Sequence, residues 1–139
     1  MRDDTAFTYC FEVNQYQDLS KLKFSRSSQV CATPYREYIQ TLLTRYASDD
    51  VSDDEVEVQL VFDLERDHYQ WMNVGWQAFN RVYRCIMHFD IKDGKIWLQQ
   101  NLTDQNPAEE LVAMGVPKED IVLGLQPPYK RQYTEYGVA

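Results

Sequence analysis

Alternating apolar and polar residues in the middle of the chain predict four β-strands. From 56 to 62 apolar positions alternate with acidic and amide residues, the period-two pattern of a half-buried strand. Further strands are predicted over about 69–77, 82–91 and 95–101. Asp93–Gly94 joins the last two and favours a tight hairpin turn, because both turn positions need a positive φ. The short connections make an antiparallel four-stranded meander the simplest topology.

Helical patterns flank these strands. The first helix is predicted to begin at Thr33–Pro34, since threonine can cap free amides and proline suits the first helical position. A second helix is predicted from Asn106–Pro107 to Gly115, with a further helical turn at 117–120. The apolar stripe of the first helix has helical spacing and consists of Tyr35, Ile39, Leu42, Leu43 and Tyr46. The sequence thus predicts an α+β fold, with an N-terminal helix and C-terminal helices packed on the sheet.

Residues 1–32 differ from the rest, because they are polar and show only weak periodicity. We interpret them as an N-terminal extension that is at most partly ordered, with a short strand near Thr8–Val13. A start codon assigned too far upstream is the alternative explanation. Residues 33–139 are the predicted domain, and one domain of this length can bury a core without metals or disulfides.

The cysteines and the hydropathy indicate a cytoplasmic protein. Cys10, Cys31 and Cys85 are too widely spaced for a disulfide framework or a zinc site, and this usage fits a reducing compartment. No apolar run approaches the roughly 20 residues that span a bilayer. The first residues lack the basic and apolar regions of a signal peptide. Neither a membrane span nor a cofactor is predicted.

The net charge of −8 is concentrated in one window, from Asp49 to Asp67. That window holds nine acids and one base, a net of −8, and the other 13 acids and 13 bases cancel. The window is either a solvated turn and strand edge or a docking face for a basic partner. Either way its field repels phosphate, so the chain is not expected to bind DNA by itself.

The turn from Asp63 to His68 carries the candidate chemistry. Carboxylates beside a histidine could serve acid–base catalysis or hold a metal, yet an Asp-rich turn explains the pattern equally well. The enzymatic alternative is a metal-dependent hydrolase that uses Asp63, Asp67 and His88, and it requires those side chains to converge. His88 is otherwise predicted to be a polar residue of the sheet surface, paired with a neighbouring carboxylate. Without a nucleophile motif or a phosphate-binding loop, we predict no catalytic residues.

Aromatic residues suggest partner contacts. Trp71 and Trp97 each share a predicted strand face with polar residues, so either could anchor an interface, whereas core packing is favoured for Trp76. Lys130–Arg131 lies among tyrosines near the end of the chain. Two bases are too few for nucleic-acid binding in so acidic a chain, so this tail is predicted to pack across the sheet or to reach a partner.

Four blocks resemble the XisI family of cyanobacterial proteins, named as controlling factors for excision of the fdxN DNA element from a nitrogen-fixation gene. These blocks run over Asp63–Trp76, Gly94–Gln100, Gly115–Leu123 and Pro127–Ala139. The resemblance extends from about Tyr35 to the last residue and departs from the family in the 32-residue leader and in Asn101–Asp104, where the family has Thr followed by Glu. The signature positions of the family correspond to Arg66, Asp67, His68, Tyr69, Gly75, Trp76, His88, Gly94, Lys95, Trp97, Pro117, Asp120 and Arg131.

The resemblance implies a non-enzymatic accessory factor for excision in heterocysts. It would act through an XisH-type protein, and only indirectly on a site-specific recombinase; whether it forms a homo-oligomer stays open. An antitoxin-like inhibitor of a nuclease-like partner is a further interpretation, which requires that the partner alone be toxic. The predicted partner-binding residues are Asp63, Arg66, Asp67, His68, Tyr69, Trp71, Trp76, His88, Trp97 and Arg131.

Overall fold

A long helix opens the described part of the chain. The computed structural model describes residues 19–51 and 55–139, with side chains from residue 34 onward. Helix α1 spans Leu19–Ser48 and contains Pro34, so the predicted start at Thr33–Pro34 is wrong. Residues 19–33 hold no other proline and no glycine, and one proline removes a single N–H without having to end a helix. The strand predicted near 8–13 lies outside the described residues, and the extension stays a prediction.

Within the described residues the sheet has five strands rather than four. The antiparallel meander is confirmed for β1 (Val56–Asp63), β2 (His68–Gln77), β3 (Asn80–Lys92) and β4 (Lys95–Asn101). A short β5 (Ile121–Leu123) then pairs with β4 in parallel, which corrects the predicted all-antiparallel sheet. Three residues are too few to show a periodicity, and the parallel pairing depends on the crossover through residues 102–120.

Two short helices and one helical turn follow the meander. Helix α2 spans Pro107–Ala113, and the Asn106 side-chain oxygen accepts a hydrogen bond from the Glu109 amide at 3.4 Å, which confirms the predicted cap. A 3-10 turn at Lys118–Asp120 confirms the helical turn predicted before β5. The last helix, α3, spans Pro128–Arg131.

The hydrophobic core lies between α1 and one face of the sheet. Ile39, Leu42 and Leu43 of α1 are fully buried, as the apolar stripe predicts. The strands contribute Tyr69 and Phe89, which lie opposite each other in the β2–β3 ladder. The other fully buried large residues are Met87, Ile96, Leu111, Ile121, Val116, Val122 and Pro107.

The other face of the sheet, which we call the outer face, lies opposite α1. Side chains alternate along a strand, so the neighbours of Tyr69 and Phe89 in sequence point away from the core. His68 pairs with Asp90 there, and Gln70 pairs with His88.

At the β3–β4 turn Asp93 and Gly94 have φ of 53° and 76°, which confirms the predicted hairpin. Among the described residues, no helix has the length and apolar character needed to cross a membrane.

Candidate functional site

Asp90 is the centre of a polar cluster on the outer face. Its side chain is almost buried, and its Oδ1 lies 2.7 Å from Nδ1 of His68 and 2.8 Å from Nε2 of His88. Its Oδ2 accepts a hydrogen bond from Nε2 of Gln99 at 3.0 Å. Two imidazoles therefore converge on one carboxylate oxygen, and the amide of Gln99 holds the other. This confirms the prediction that His88 is a sheet-surface residue paired with a carboxylate.

The same contacts keep Asp90 ionised. Burial raises the pKa of a carboxyl group, but the hydrogen bonds from His68, His88 and Gln99 together outweigh burial and lower the pKa of Asp90 below its ordinary value. Gln70 completes the surroundings, with its Nε2 at 3.4 Å from Nδ1 of His88. The two histidine rings meet edge to face, with their centroids 6.4 Å apart.

Trp97 extends the cluster towards the end of the chain. Its ring centroid lies 4.1 Å from Nζ of Lys92 and 5.2 Å from Cζ of Arg131, so two cations contact one indole. Arg131 also donates from Nε to the Gln126 carbonyl at 3.0 Å and from Nη2 to the Gly124 carbonyl at 3.4 Å. The C-terminal tail therefore packs across the sheet, which is one of the two roles predicted for it.

The acidic turn between β1 and β2 is a structural turn. The Asp63 carboxylate accepts hydrogen bonds from the amides of Glu65 and Arg66, both at 3.0 Å, and from Nη1 of Arg66 at 3.2 Å. The backbone hydrogen bond from Arg66 is the main cause that lowers the pKa of Asp63. Asp67 follows with a φ of 62°, a conformation that aspartate tolerates in turns.

The triad required by the hydrolase alternative does not converge. Asp67 contacts Arg36 of α1 and the hydroxyl of buried Tyr69, so its carboxylate lies on the core side of the sheet. His88 lies on the outer face, and Asp63 turns towards its own loop. Within the described residues the carboxylate that does approach both histidines is Asp90. The predicted combination of Asp63, Asp67 and His88 is therefore wrong.

The predicted partner-binding residues fall into four places, and Trp76 lies at the fourth, the end of the β2–β3 hairpin. Tyr69 and Trp71 are buried in the core, which corrects the expectation that Trp71 shares an accessible face with polar residues. The indole nitrogen of Trp71 donates internally, to Oδ1 of Asn73 at 2.9 Å. The acidic turn holds Asp63, Arg66 and Asp67, and the outer face brings together His68, His88, Trp97 and Arg131.

Trp76 is exposed, contrary to the predicted core packing. About half of the Trp76 surface, 49%, is accessible to solvent. The reason is that β1 begins opposite Gly75, so it does not cover the part of β2 and β3 that continues beyond that residue. Phe79 and Tyr83 are exposed at the same hairpin end, and Cζ of Arg81 lies 5.6 Å from the Trp76 ring and 6.0 Å from the Tyr83 ring. We call Trp76, Phe79, Arg81 and Tyr83 the hairpin patch.

Gln70 and Gln99 are the cluster residues that sequence reasoning missed, and Asp90 was anticipated only as a carboxylate neighbouring His88. Asp90 follows His88 by two positions and so lies on the same face of the predicted strand. That spacing was a usable signal for a His–Asp pair. The convergence of His68 on the same carboxylate depends instead on the register of β2 against β3, which places His68 opposite Asp90.

The architecture defines a class of small α+β proteins, in which a helix covers one face of a five-stranded mixed sheet and a polar cluster lies on the other. The sequence profile of the XisI protein family matches residues 31–138, and the chain belongs to this family. The resemblance noted from the sequence is thereby confirmed.

The solved structures that share this fold include two from Anabaena variabilis. An XisI-like protein from Anabaena variabilis is 78% identical, with a TM-score of 0.75 over 77% of this chain and 98% of that chain. The fdxN element excision controlling factor XisI from the same organism is 34% identical, with a TM-score of 0.71 over 78% of this chain and 99% of that chain. A comparison with curated proteins found no match.

Proposed function

We propose that this chain is a non-enzymatic controlling factor for excision of a DNA element, and that it acts by binding a partner protein of the XisH type. Family membership supports the first part, because a relative of this fold is named as the controlling factor of fdxN element excision. The second part rests on the chain's own surface.

The hairpin patch is the observation that carries the proposal. Phe79 is 95% exposed and Tyr83 is 67% exposed, which places large aromatic rings in water at the end of the paired strands β2 and β3. Tryptophan, tyrosine and arginine are the residue types that most often dominate the energy of protein–protein binding. Arg81 stacks on two of these aromatic rings and so holds a preformed surface.

The charge of the chain favours a protein partner over direct DNA contact. Among the described acids of the 49–67 window, Asp63 is paired with Arg66 and Asp67 with Arg36. Glu55, Glu57 and Glu65 of the same window remain exposed. Their field slows the approach of phosphates and speeds that of a basic protein surface.

Co-expression with an XisH-type protein tests this function. The pair is purified through a tag on one partner and weighed by light scattering, and a stoichiometric complex is expected. Trp76→Ala should weaken the complex by about 30-fold or more, the level of an interface hot spot. Tyr83→Ala and Tyr129→Ala are a matched pair, since both tyrosines are 67% exposed and only Tyr83 belongs to the hairpin patch.

Each result of the co-expression experiment leads to a different conclusion. Two independent species at micromolar concentration would contradict a direct complex. Equal losses in the Tyr83 and Tyr129 variants would remove the hairpin patch as the binding surface. If the companion alone arrests growth and this chain relieves the arrest, the controlling role takes the form of an antitoxin-like inhibition.

A further inference from the structure

His68, His88 and Asp90 each direct a metal-binding atom at one point on the outer face. The three donor atoms, two imidazole nitrogens and one carboxylate oxygen, all lie within 4.8 Å of one another. From this geometry we propose that these residues form a binding site for a late first-row divalent metal ion, with Zn²⁺ as the best match. The proposal goes beyond the controlling function and does not depend on it.

The donor set suits zinc. Imidazole nitrogen and carboxylate oxygen bind Zn²⁺ at about 2.0–2.2 Å, and sites with three protein ligands keep one position open. The softer thiolates that favour copper(I) or iron–sulfur clusters are absent from these three ligands, and a purely oxygen set would favour Mg²⁺ or Ca²⁺ instead. The mixed set therefore selects the zinc-like ions.

The distances from the two histidines to Asp90 require only a small adjustment. The imidazole nitrogens approach Oδ1 of Asp90 at 2.7 and 2.8 Å, the separation of hydrogen-bonded atoms. A tetrahedral ion with the bond lengths above needs its ligand atoms about 3.3 Å apart. The His68 side chain is 50% exposed, so its ring can turn outward to make this room. The same exposure opens the fourth position to solvent.

The side-chain amides of Gln99 and Gln70 support the site both without and with a bound ion. Gln99 fixes Asp90 through Oδ2 and leaves Oδ1 available to an ion. The amide nitrogen of Gln70 lies 3.4 Å from Nδ1 of His88. It donates a hydrogen bond to Nδ1 when the ring proton of His88 is on the Nε2 of that ring. When an ion takes Nε2, the proton moves to Nδ1, and a flip of the Gln70 amide presents its oxygen as the acceptor. Such outer contacts orient metal-binding histidines and set their affinity.

The charges near the site are compatible with a cation. Asp90 supplies one negative charge, and both histidines bind a metal ion as neutral rings. The cations of the same face at this end of the sheet include Lys92, Lys95 and Arg131; Lys92 and Arg131 rest on the Trp97 ring, and Lys95 lies opposite Lys92 in the β3–β4 ladder. The site lies at the opposite end of the β2–β3 pair from the hairpin patch, so the two proposals can fail separately.

Titration of the tag-free chain with Zn²⁺ tests the proposal. Calorimetry should show one ion per chain. His68 and His88 are the two histidines of the sequence, so the ¹⁵N spectrum of histidine-labelled protein reports on both ligands directly, and both rings should shift on addition of zinc. His68→Gln, a change at a half-exposed position, should weaken binding by at least tenfold.

A glutamine pair supplies the matched control. Gln70→Ala should weaken zinc binding by roughly 10–100-fold, as for other outer-shell partners. Gln59→Ala should leave the affinity unchanged, because Gln59 is an exposed residue of β1 bonded to Glu57. Circular dichroism of each variant establishes that the fold is retained before the affinities are compared.

The visible spectrum of bound Co²⁺ distinguishes binding at this site from binding by the cysteines. Co²⁺ bound by nitrogen and oxygen ligands gives visible d–d bands without the thiolate charge-transfer band that a cysteine ligand adds. The proposal would be overturned by a thiolate band, by zinc affinity that survives His68→Gln, or by histidine signals that zinc at millimolar concentration leaves unchanged. In the last case the cluster is a hydrogen-bonded network alone.

Discussion

Arg36 binds both carboxylate oxygens of Asp67. Its Nε lies 2.7 Å from Oδ1 and its Nη2 lies 3.1 Å from Oδ2, a two-point contact that joins α1 to the turn between β1 and β2. The hydroxyl of Tyr69 donates to the same Oδ1 at 2.9 Å. Burial foremost, and then this hydrogen bond, raise the pKa of Tyr69 well above its usual range, so the phenol stays a donor. One carboxylate thus fixes the helix, the turn and a core tyrosine together.

Replacing Asp67 with Asn should destabilise the fold. Asparagine tolerates the positive φ of this position, so the change removes the charge without adding backbone strain. The free energy of unfolding should fall by about 1–3 kcal/mol, because a partly buried guanidinium loses its anion. Urea denaturation measures this loss. Asp63→Asn is the control and should cost clearly less than Asp67→Asn, since the amide oxygen still accepts the turn hydrogen bonds.

Alanine should be far less tolerated at Gly75 than at Gly94. A Cβ at Gly75 would lie 2.0 Å from the backbone oxygen of Glu55, which cannot rotate away, whereas no atom lies within 4 Å of a Cβ at Gly94. We expect Gly94→Ala to cost about 1–2 kcal/mol for its left-handed backbone. Gly75→Ala should cost about 3 kcal/mol or more. Comparable unfolding midpoints for the two variants would contradict the close approach of β1 to β2.

The tryptophans Trp71 and Trp76 should respond in opposite ways to truncation. Trp71 is 4% exposed in the core, so Trp71→Ala should lower the free energy of unfolding by about 3–5 kcal/mol. Trp76→Ala should cost under about 1 kcal/mol, the loss of a surface contact with Arg81. Thermal unfolding of both variants makes the comparison. A large loss from Trp76→Ala would mean that the ring supports the fold, and its effect on a complex could not then be read as binding.

Asp63 should titrate below the ordinary value of an aspartate. Its pKa is lowered from 3.8, first by the backbone hydrogen bond from Arg66. A depressed folded-state pKa means that ionised Asp63 stabilises the fold fully above pH 3.8, and that this contribution is lost as pH falls through the folded-state pKa. Carboxyl ¹³C NMR measures the midpoint. Arg66→Ala should raise it only part of the way to 3.8, because the backbone donor remains; a full return would assign the shift to the side chain.

Local patterns were sufficient for most of the fold. The apolar stripe of α1 appears in the structure as Ile39, Leu42 and Leu43, because helical spacing alone decides which side chains share a face. The β3–β4 turn was also predictable, since Asp93–Gly94 has few other conformations to adopt in a hairpin. The start of α1 was predicted wrongly at Pro34, because a proline that suits a first helical position can also lie inside a helix.

The site depended on relations that no local pattern contains. His68 meets Asp90 because the β1–β2 turn and the β2–β3 register bring them opposite each other. Alternation places Trp71 on the same face as Tyr69, but it does not show that α1 covers this face and buries the indole. The exposure of Trp76 likewise follows from the lengths of neighbouring strands.

The two edges of the sheet differ in how they are protected. At the β5 edge, the amide of Gly137 donates to the Ile121 carbonyl at 2.7 Å, so the chain itself covers the last strand. The other edge is β1, eight residues long and flanked or lined by Glu55, Glu57 and Gln59. Two copies approaching through β1 would bring like charges together, and charge on an edge strand is a common defence against strand-to-strand aggregation. We therefore expect the acidic residues on this side to oppose polymerisation through β1.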